Sequence, residues 1–250
     1  MSEPRLPHLD EDWSSALAIV AHPDDMEYGA SSAVARWTSQ GKRVAYVLAT
    51  SGEAGIDGMR TTEAGPLREA EQRDSCKLVG VSDVDFLGFP DGVVEYGLPL
   101  RRAFAGAIRR YRPDVVITGN HRETYAGGML NQADHIATGR AVIDAVRDAG
   151  NRWVFTDLLD AGLEPWNGVK YVLIAGSPTP THAVNVDEHL AAGVASLQAH
   201  AAYLAGLGPG FPDPDEFLES IARMAGTRLG SRFAVGFEVF RMGWPDQDGV

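Results

Sequence analysis

The chain has 250 residues, 44% hydrophobic and 22% charged, with a formal net charge of −12, which suits a soluble globular protein with one sizeable core. The acidic balance, with no basic stripe, argues against a nucleic-acid partner, and no apolar run approaches the roughly 20 residues of a membrane span. The lone Cys76 excludes an intramolecular disulfide and a thiolate metal cluster, and the polar, acidic N-terminus shows no signal peptide, so the cytoplasm is the expected compartment.

Residues 1–13 are rich in proline and acids and read as an arm outside the core. The apolar run Leu17-Ala18-Ile19-Val20 reads as a first buried strand. A helix from Ser31 to Gln40 stops at Gly41, and a second strand covers 43–49. A glycine-containing loop leads to a helix from about Pro66 to Val79, with the proline at its first position. A third strand at 84–88, a helix at 99–111 and a fourth strand at 114–118 follow. A further helix spans 133–149. Beyond Gly150 the rhythm loosens: strands at 171–175 and 183–186, a helix from about Asp187 to Leu204, a Gly/Pro loop at 206–214, a short helix, and a last strand near 233–240.

Strand and helix alternate four times with short connections, the pattern of a parallel sheet covered on both faces. The expected fold is therefore α/β, a Rossmann-like and mostly parallel sheet with a smaller C-terminal extension. No repeat or boundary divides the chain. A single domain over 1–250 is expected, with the arm at 1–13, the core at 14–150 and the C-terminal strands, helices and cap at 151–250.

The segment Ala21-His22-Pro23-Asp24-Asp25-Met26-Glu27-Tyr28-Gly29 falls at the carboxyl end of the first strand, where open α/β sheets place ligands. Asn131-Gln132-Ala133-Asp134-His135 follows the fourth strand on the same sheet edge. His22, Asp25 and His135 together supply two nitrogens and a carboxylate, a catalytic zinc set that leaves room for water. Asp24 then stands free as general base, and Asp134 can orient an imidazole from behind. Taken singly, each cluster has a plainer reading. The aspartates can cap the next helix, and His135 can be a surface histidine. It is their joint placement on one edge that favours a hydrolytic metal centre.

With these motifs the chain resembles the PIG-L/LmbE-like family of metal-dependent N-deacetylases, from about Leu17 to His200. The strongest element is Ala21-His22-Pro23-Asp24-Asp25 with Glu27 and Gly29. It is supported by Thr50-Ser51-Gly52-Glu53-Ala54-Gly55, by Arg68 with Glu71 ahead of Leu78-Val79-Gly80-Val81, by the Asp91 turn, and by Asp134-His135 with Thr138-Gly139-Arg140-Ala141. The resemblance implies His22, Asp25 and His135 as metal ligands, Asp24 as base, and Arg68 and Asp91 as contacts to substrate hydroxyls. Glu53, at the end of the second strand, is a further candidate substrate contact, or a turn acid. Arg68 and Glu71, three apart on a helix, can alternatively pair with each other.

One departure stands out. Many members carry His-Pro-Asp-His where this chain has Gln132-Ala133-Asp134-His135. An amide at Gln132 can donate to an oxyanion but supplies no titrating proton. The acid role then falls to protonated Asp24, or to His121 or Tyr125 in the preceding loop. His182 and His200 read as structural histidines, and Trp153 and Trp166 as core aromatics.

The resulting expectation is a hydrolase removing an N-acetyl or other N-acyl group from a small amino sugar or its conjugate. Zinc is the expected metal, with iron(II) or manganese as alternatives. Rival readings are an amidase of a larger thiol conjugate or natural product, and a non-catalytic metal-binding relative. No membrane partner is expected, and a homo-oligomer stays open. The dinucleotide fingerprint, the serine nucleophile elbow and the zinc-protease helix are all absent from the sequence.

Overall fold

The computed structural model describes residues 4–208 and 210–243. Residues 1–3 of the expected arm, Pro209 of the Gly/Pro loop and 244–250 of the C-terminal cap lie outside them. The described residues form seven strands, β1 (Ser15–Val20), β2 (Arg43–Leu48), β3 (Asp83–Phe86), β4 (Val115–Thr118), β5 (Tyr171–Ala175), β6 (His182–Asn185) and β7 (Ala234–Arg241). The helices are α1 (Asp25–Gly29), α2 (Ser31–Ser39), α3 (Thr61–Leu78), α4 (Leu98–Tyr111), α5 (Ala133–Gly150), α6 (Asp157–Asp160), α7 (Leu190–Gln198), α8 (Ala201–Gly206) and α9 (Pro214–Leu229).

All strands join one sheet in the order β3-β2-β1-β4-β5-β7-β6. Strands β3, β2, β1, β4 and β5 pair with one another in parallel, while β7 runs antiparallel to β5 and β6. Every residue of β1 is buried, so its side chains alternate between two covered faces. Ala16, Ala18 and Val20 enter the core that holds Trp37 and Phe237. Leu17 and Ile19 enter the one that holds Phe104 and Val142. The chain leaves β1 toward β2 and β3, then returns to pair β4 on β1's other side. This reversal opens a crevice at the carboxyl ends of β1 and β4.

Four expectations change. The segment before β1 is part of the core, because Leu6, Leu9 and Trp13 are buried and the Leu9 N–H bonds Ala183 O at the β6 edge. Helix α3 begins at Thr61, so Pro66 lies inside it, and Gly65 lets the helix approach the Glu53 β-carbon closely. The late helix is two, α7 and α8, broken where His200 leaves helical geometry (ψ 50°) with its side chain fully buried. The short helix before the last strand is the 16-residue α9, capped by Asp213 with Pro214 behind it. No helix among the described residues is long and apolar enough to cross a membrane.

Candidate metal centre

The turn after β1 is held by its own side chains. Asp25 Oδ2 accepts the N–H groups of both Ala21 and His22, each at 2.9 Å. That aspartate thus caps the turn behind it, leaving Oδ1 free to face the crevice. Asp24 adopts φ 87° and ψ −17°, the left-handed region that costs a non-glycine residue about 1 kcal/mol. Its N–H donates to Gln72 Oε1 at 2.9 Å.

From the other side of the crevice, α5 presents Asp134 and His135 in its first turn. His135 Nε2 lies 2.9 Å from Asp25 Oδ1 and 3.1 Å from His22 Nδ1, and the third side, His22 Nδ1 to Asp25 Oδ1, is 3.7 Å. Tetrahedral ligands about 2.0–2.1 Å from an ion stand roughly 3.3 Å apart, so the triangle matches a divalent site.

The outer nitrogens of both rings meet acceptors. His22 Nε2 is 3.0 Å from Asp91 Oδ1 and 3.3 Å from Asp134 Oδ2. His135 Nδ1 is 2.9 Å from Asn131 Oδ1 and 3.1 Å from the Tyr125 hydroxyl. A ring that donates its outer N–H keeps its inner nitrogen bare. Two lone pairs and a carboxylate oxygen then face one another, an arrangement that calls for a cation. His22, Asp91 and Asp134 form a second cluster of ligand-like atoms. There both oxygens of Asp134 are already engaged, Oδ2 by the Gly92 N–H and Oδ1 by the Val94 N–H, and His22 supplies the one nitrogen. The first cluster is the better fit.

Electrostatics agree. Burial opposes charge on His22, but bonds to Asp134, Asp25 and Asp91 outweigh it and lift the ring well above its ordinary value. His135 is raised against burial by the charge of Asp25. Asp25 resists burial through the His135 charge and bonds to both rings, and sits well below the usual carboxylate range. The centre attracts positive charge. Asp24 behaves differently: burial pushes its carboxyl up, to about 7, against the lowering pull of Arg68.

The expected substrate contacts are engaged inside the protein. Arg68 is 3% exposed and donates to Gly52 O, Pro23 O and Asp24 Oδ2 at 2.9, 2.7 and 2.9 Å, with its guanidinium over the Tyr203 ring. It does not pair with Glu71, which accepts the Ala202 N–H. Asp91 faces His22, and Glu53 Oε1 accepts the Asp91 N–H at 2.9 Å, two steps from the ligand triangle. Asp134, expected to orient an imidazole, lies 3.3 Å from His22 Nε2.

Gln132 is the N-cap of α5, and its exposed side chain has no hydrogen bond among the described residues. His121 is not brought to the centre by any contact; its ring packs edge-on to Phe240, 6.0 Å between centroids. Trp153, expected in the core, is 79% exposed, and His200 is buried 3.8 Å from Glu27. Sequence reasoning missed Asn131 as an orienting residue, because it precedes the N-cap of α5 and no helical spacing links it to His135. It also missed Gln72 and Tyr203, for which nothing in the local sequence speaks.

Comparisons with known proteins identify the family and the fold. Residues 17–146 match the PIG-L family, described as GlcNAc-PI de-N-acetylase. The chain is 28% identical over 236 residues to the diacetylchitobiose deacetylase of Thermococcus kodakarensis, covering 90% of this chain and 82% of the relative. It is 30% identical over 250 residues to the 1D-myo-inositol 2-acetamido-2-deoxy-alpha-D-glucopyranoside deacetylase of Acidothermus cellulolyticus, covering 79% and 82%. The solved N,N'-diacetylchitobiose deacetylase of Pyrococcus horikoshii superposes with TM-score 0.82 at 24% identity, over 96% of this chain and 90% of that one, a likeness of fold.

Proposed function

The chain belongs to the PIG-L family of de-N-acetylases, and from that premise we propose that it is a metal-dependent N-deacetylase of a small N-acetylated amino sugar or amino-sugar conjugate. The observation that carries this reading is the triangle of His22 Nδ1, Asp25 Oδ1 and His135 Nε2 beside the buried carboxylate of Asp24. Homologues are deacetylases of amino-sugar substrates.

His22, Asp25 and His135 would hold the ion, and three protein ligands with an open position suit zinc, with iron(II) or manganese as alternatives. Bound there, a divalent ion supplies an acidified water and polarises the amide carbonyl. Arg68 holds Asp24 Oδ2, so Oδ1 is the oxygen that takes the water's proton and returns it to the leaving nitrogen. Asp91 and Asp134 fix the His22 tautomer, as Asn131 does for His135. Arg68 and Glu53 act behind Asp24 and Asp91 rather than on sugar hydroxyls.

Gln132 is free to donate to the developing oxyanion. Gln132→Ala is expected to lower kcat by about one to three decades and to leave Tm unchanged, since the side chain supports nothing internally. Unchanged kcat would hand the role to the Tyr125 hydroxyl, tested by Tyr125→Phe.

The reading is tested by acetate release from the metal-loaded protein across N-acetylglucosamine conjugates and bulkier amides. Turnover confined to the N-acetyl sugars is expected. Preference for a bulky thiol-conjugate amide would make the protein an amidase, and no turnover on any amide would make it a non-catalytic relative.

A further inference from the structure

Gln72 has no part in the reaction above, yet it is 1% exposed and hydrogen-bonded at both ends of its amide. Its Oε1 accepts the Asp24 N–H at 2.9 Å, and its Nε2 donates to Glu27 Oε1 at 2.9 Å. Glu27, itself 1% exposed, also receives the Ser75 hydroxyl at 2.8 Å on the same oxygen. Asp24 is the N-cap of α1 and Glu27 lies three residues on. That is the spacing of a capping box, in which the acid reaches back to the N-cap N–H directly. Here the Gln72 amide from α3 is interposed between the two.

We propose that Glu27 and Gln72 are positioning residues for deacetylation, forming a brace that holds Asp24 in its left-handed conformation and so aims its carboxylate. The proposal rests on the reading of Asp24 as general base. A strained backbone persists only where its surroundings over-determine it. At Asp24 two side chains one helical turn apart on α3 do this: Arg68 grips the carboxylate and Gln72 grips the peptide N–H. Glu27 decides which way the Gln72 amide points. Glu27 Oε1 takes the Gln72 NH2 and the Ser75 hydroxyl, which leaves the amide carbonyl to face the Asp24 N–H. With no acceptor at position 27 the amide NH2 keeps only the long contact to Cys76 Sγ at 3.4 Å, and its carbonyl is held less firmly against the Asp24 N–H. The released turn would relax and move the carboxylate, and an error of about 1 Å costs up to about a hundredfold in rate.

The test is a set of variants measured for metal content, Tm, kcat and KM on the best N-acetyl substrate. Gln72→Glu keeps an acceptor for the Asp24 N–H but sets two buried carboxylates against each other. It is expected to lower kcat about tenfold to a hundredfold, with KM and metal content little changed. The exchange Glu27→Gln with Gln72→Glu keeps an acceptor at position 72 for the Asp24 N–H and remakes the bond between positions 72 and 27 with donor and acceptor reversed, Ser75 then accepting from the amide at 27. It should return kcat to within about threefold of wild type. In an Asp24→Asn background, Gln72→Glu should add less than about threefold, because the brace acts through Asp24.

Three results overturn the brace: unchanged kcat in Gln72→Glu, no recovery in a folded and metal-loaded exchange variant, or a full additive loss on top of Asp24→Asn. If Gln72→Glu does not fold, the exchange variant decides alone. Near-native activity of Asp24→Asn would instead overturn the assignment of the base, whatever Gln72 does.

Discussion

Asparagine at position 24 is expected to leave the metal in place and to lower turnover by roughly two to four decades. The amide has nearly the shape of the carboxylate but cannot accept the water's proton. The change also leaves Arg68, 3% exposed, without its anionic partner. Two of its bonds survive, to Gly52 O and Pro23 O, so the stability cost should be about 1–3 kcal/mol, read as a lower Tm. Turnover, metal content and melting measured on one preparation separate these effects. Near-native turnover would remove Asp24 from the chemistry. Loss of the metal would make Asp24 a ligand and force the roles of Asp24 and Asp25 to be revised.

His135→Ala is expected to abolish detectable turnover and weaken metal binding by roughly two decades or more, because each ligand carries a sizeable share of a total near 10–16 kcal/mol. Asp134→Asn should be milder, about tenfold to a hundredfold in metal affinity, because it weakens the orienting acceptor behind His22 Nε2, which keeps Asp91 Oδ1, and sets an amide NH2 against one of the Gly92 and Val94 N–H groups. The contrast discriminates between the two clusters that share His22. An ion in the triangle with Asp25 is lost in His135→Ala and retained, more weakly, in Asp134→Asn. An ion among His22, Asp91 and Asp134 would give the opposite order. Competition with a chelator of known affinity, alongside activity, reads both.

Much of the fold was legible because its signals are local. The buried run at 17–20, the alternation of strand and helix, and the positions of α2, α4 and α5 follow from periodicity and stop residues. The arm reads as peripheral because its Leu6, Leu9 and Trp13 are too sparse to show a period, yet each finds a place in the packed interior. Helix α3 reads short because a proline is a start signal, whereas Pro66 lies inside the helix. The break at His200 carries no glycine or proline to announce it.

The same division holds at the centre. The adjacency of His22, Asp24 and Asp25 in one turn is written in neighbouring residues, and the α/β class and the shared sheet edge of Asp134 and His135 follow from the alternation of strand and helix. Four pairings emerge only once the chain is packed: Asp91 and Asp134 share His22, Arg68 grips Asp24 rather than Glu71, His121 turns to Phe240, and Gln72 holds the strained Asp24 N–H. Each of these pairings joins side chains from elements far apart in sequence. Which way such a side chain points is set by the packing of whole helices against the sheet, and no local pattern of residues encodes it.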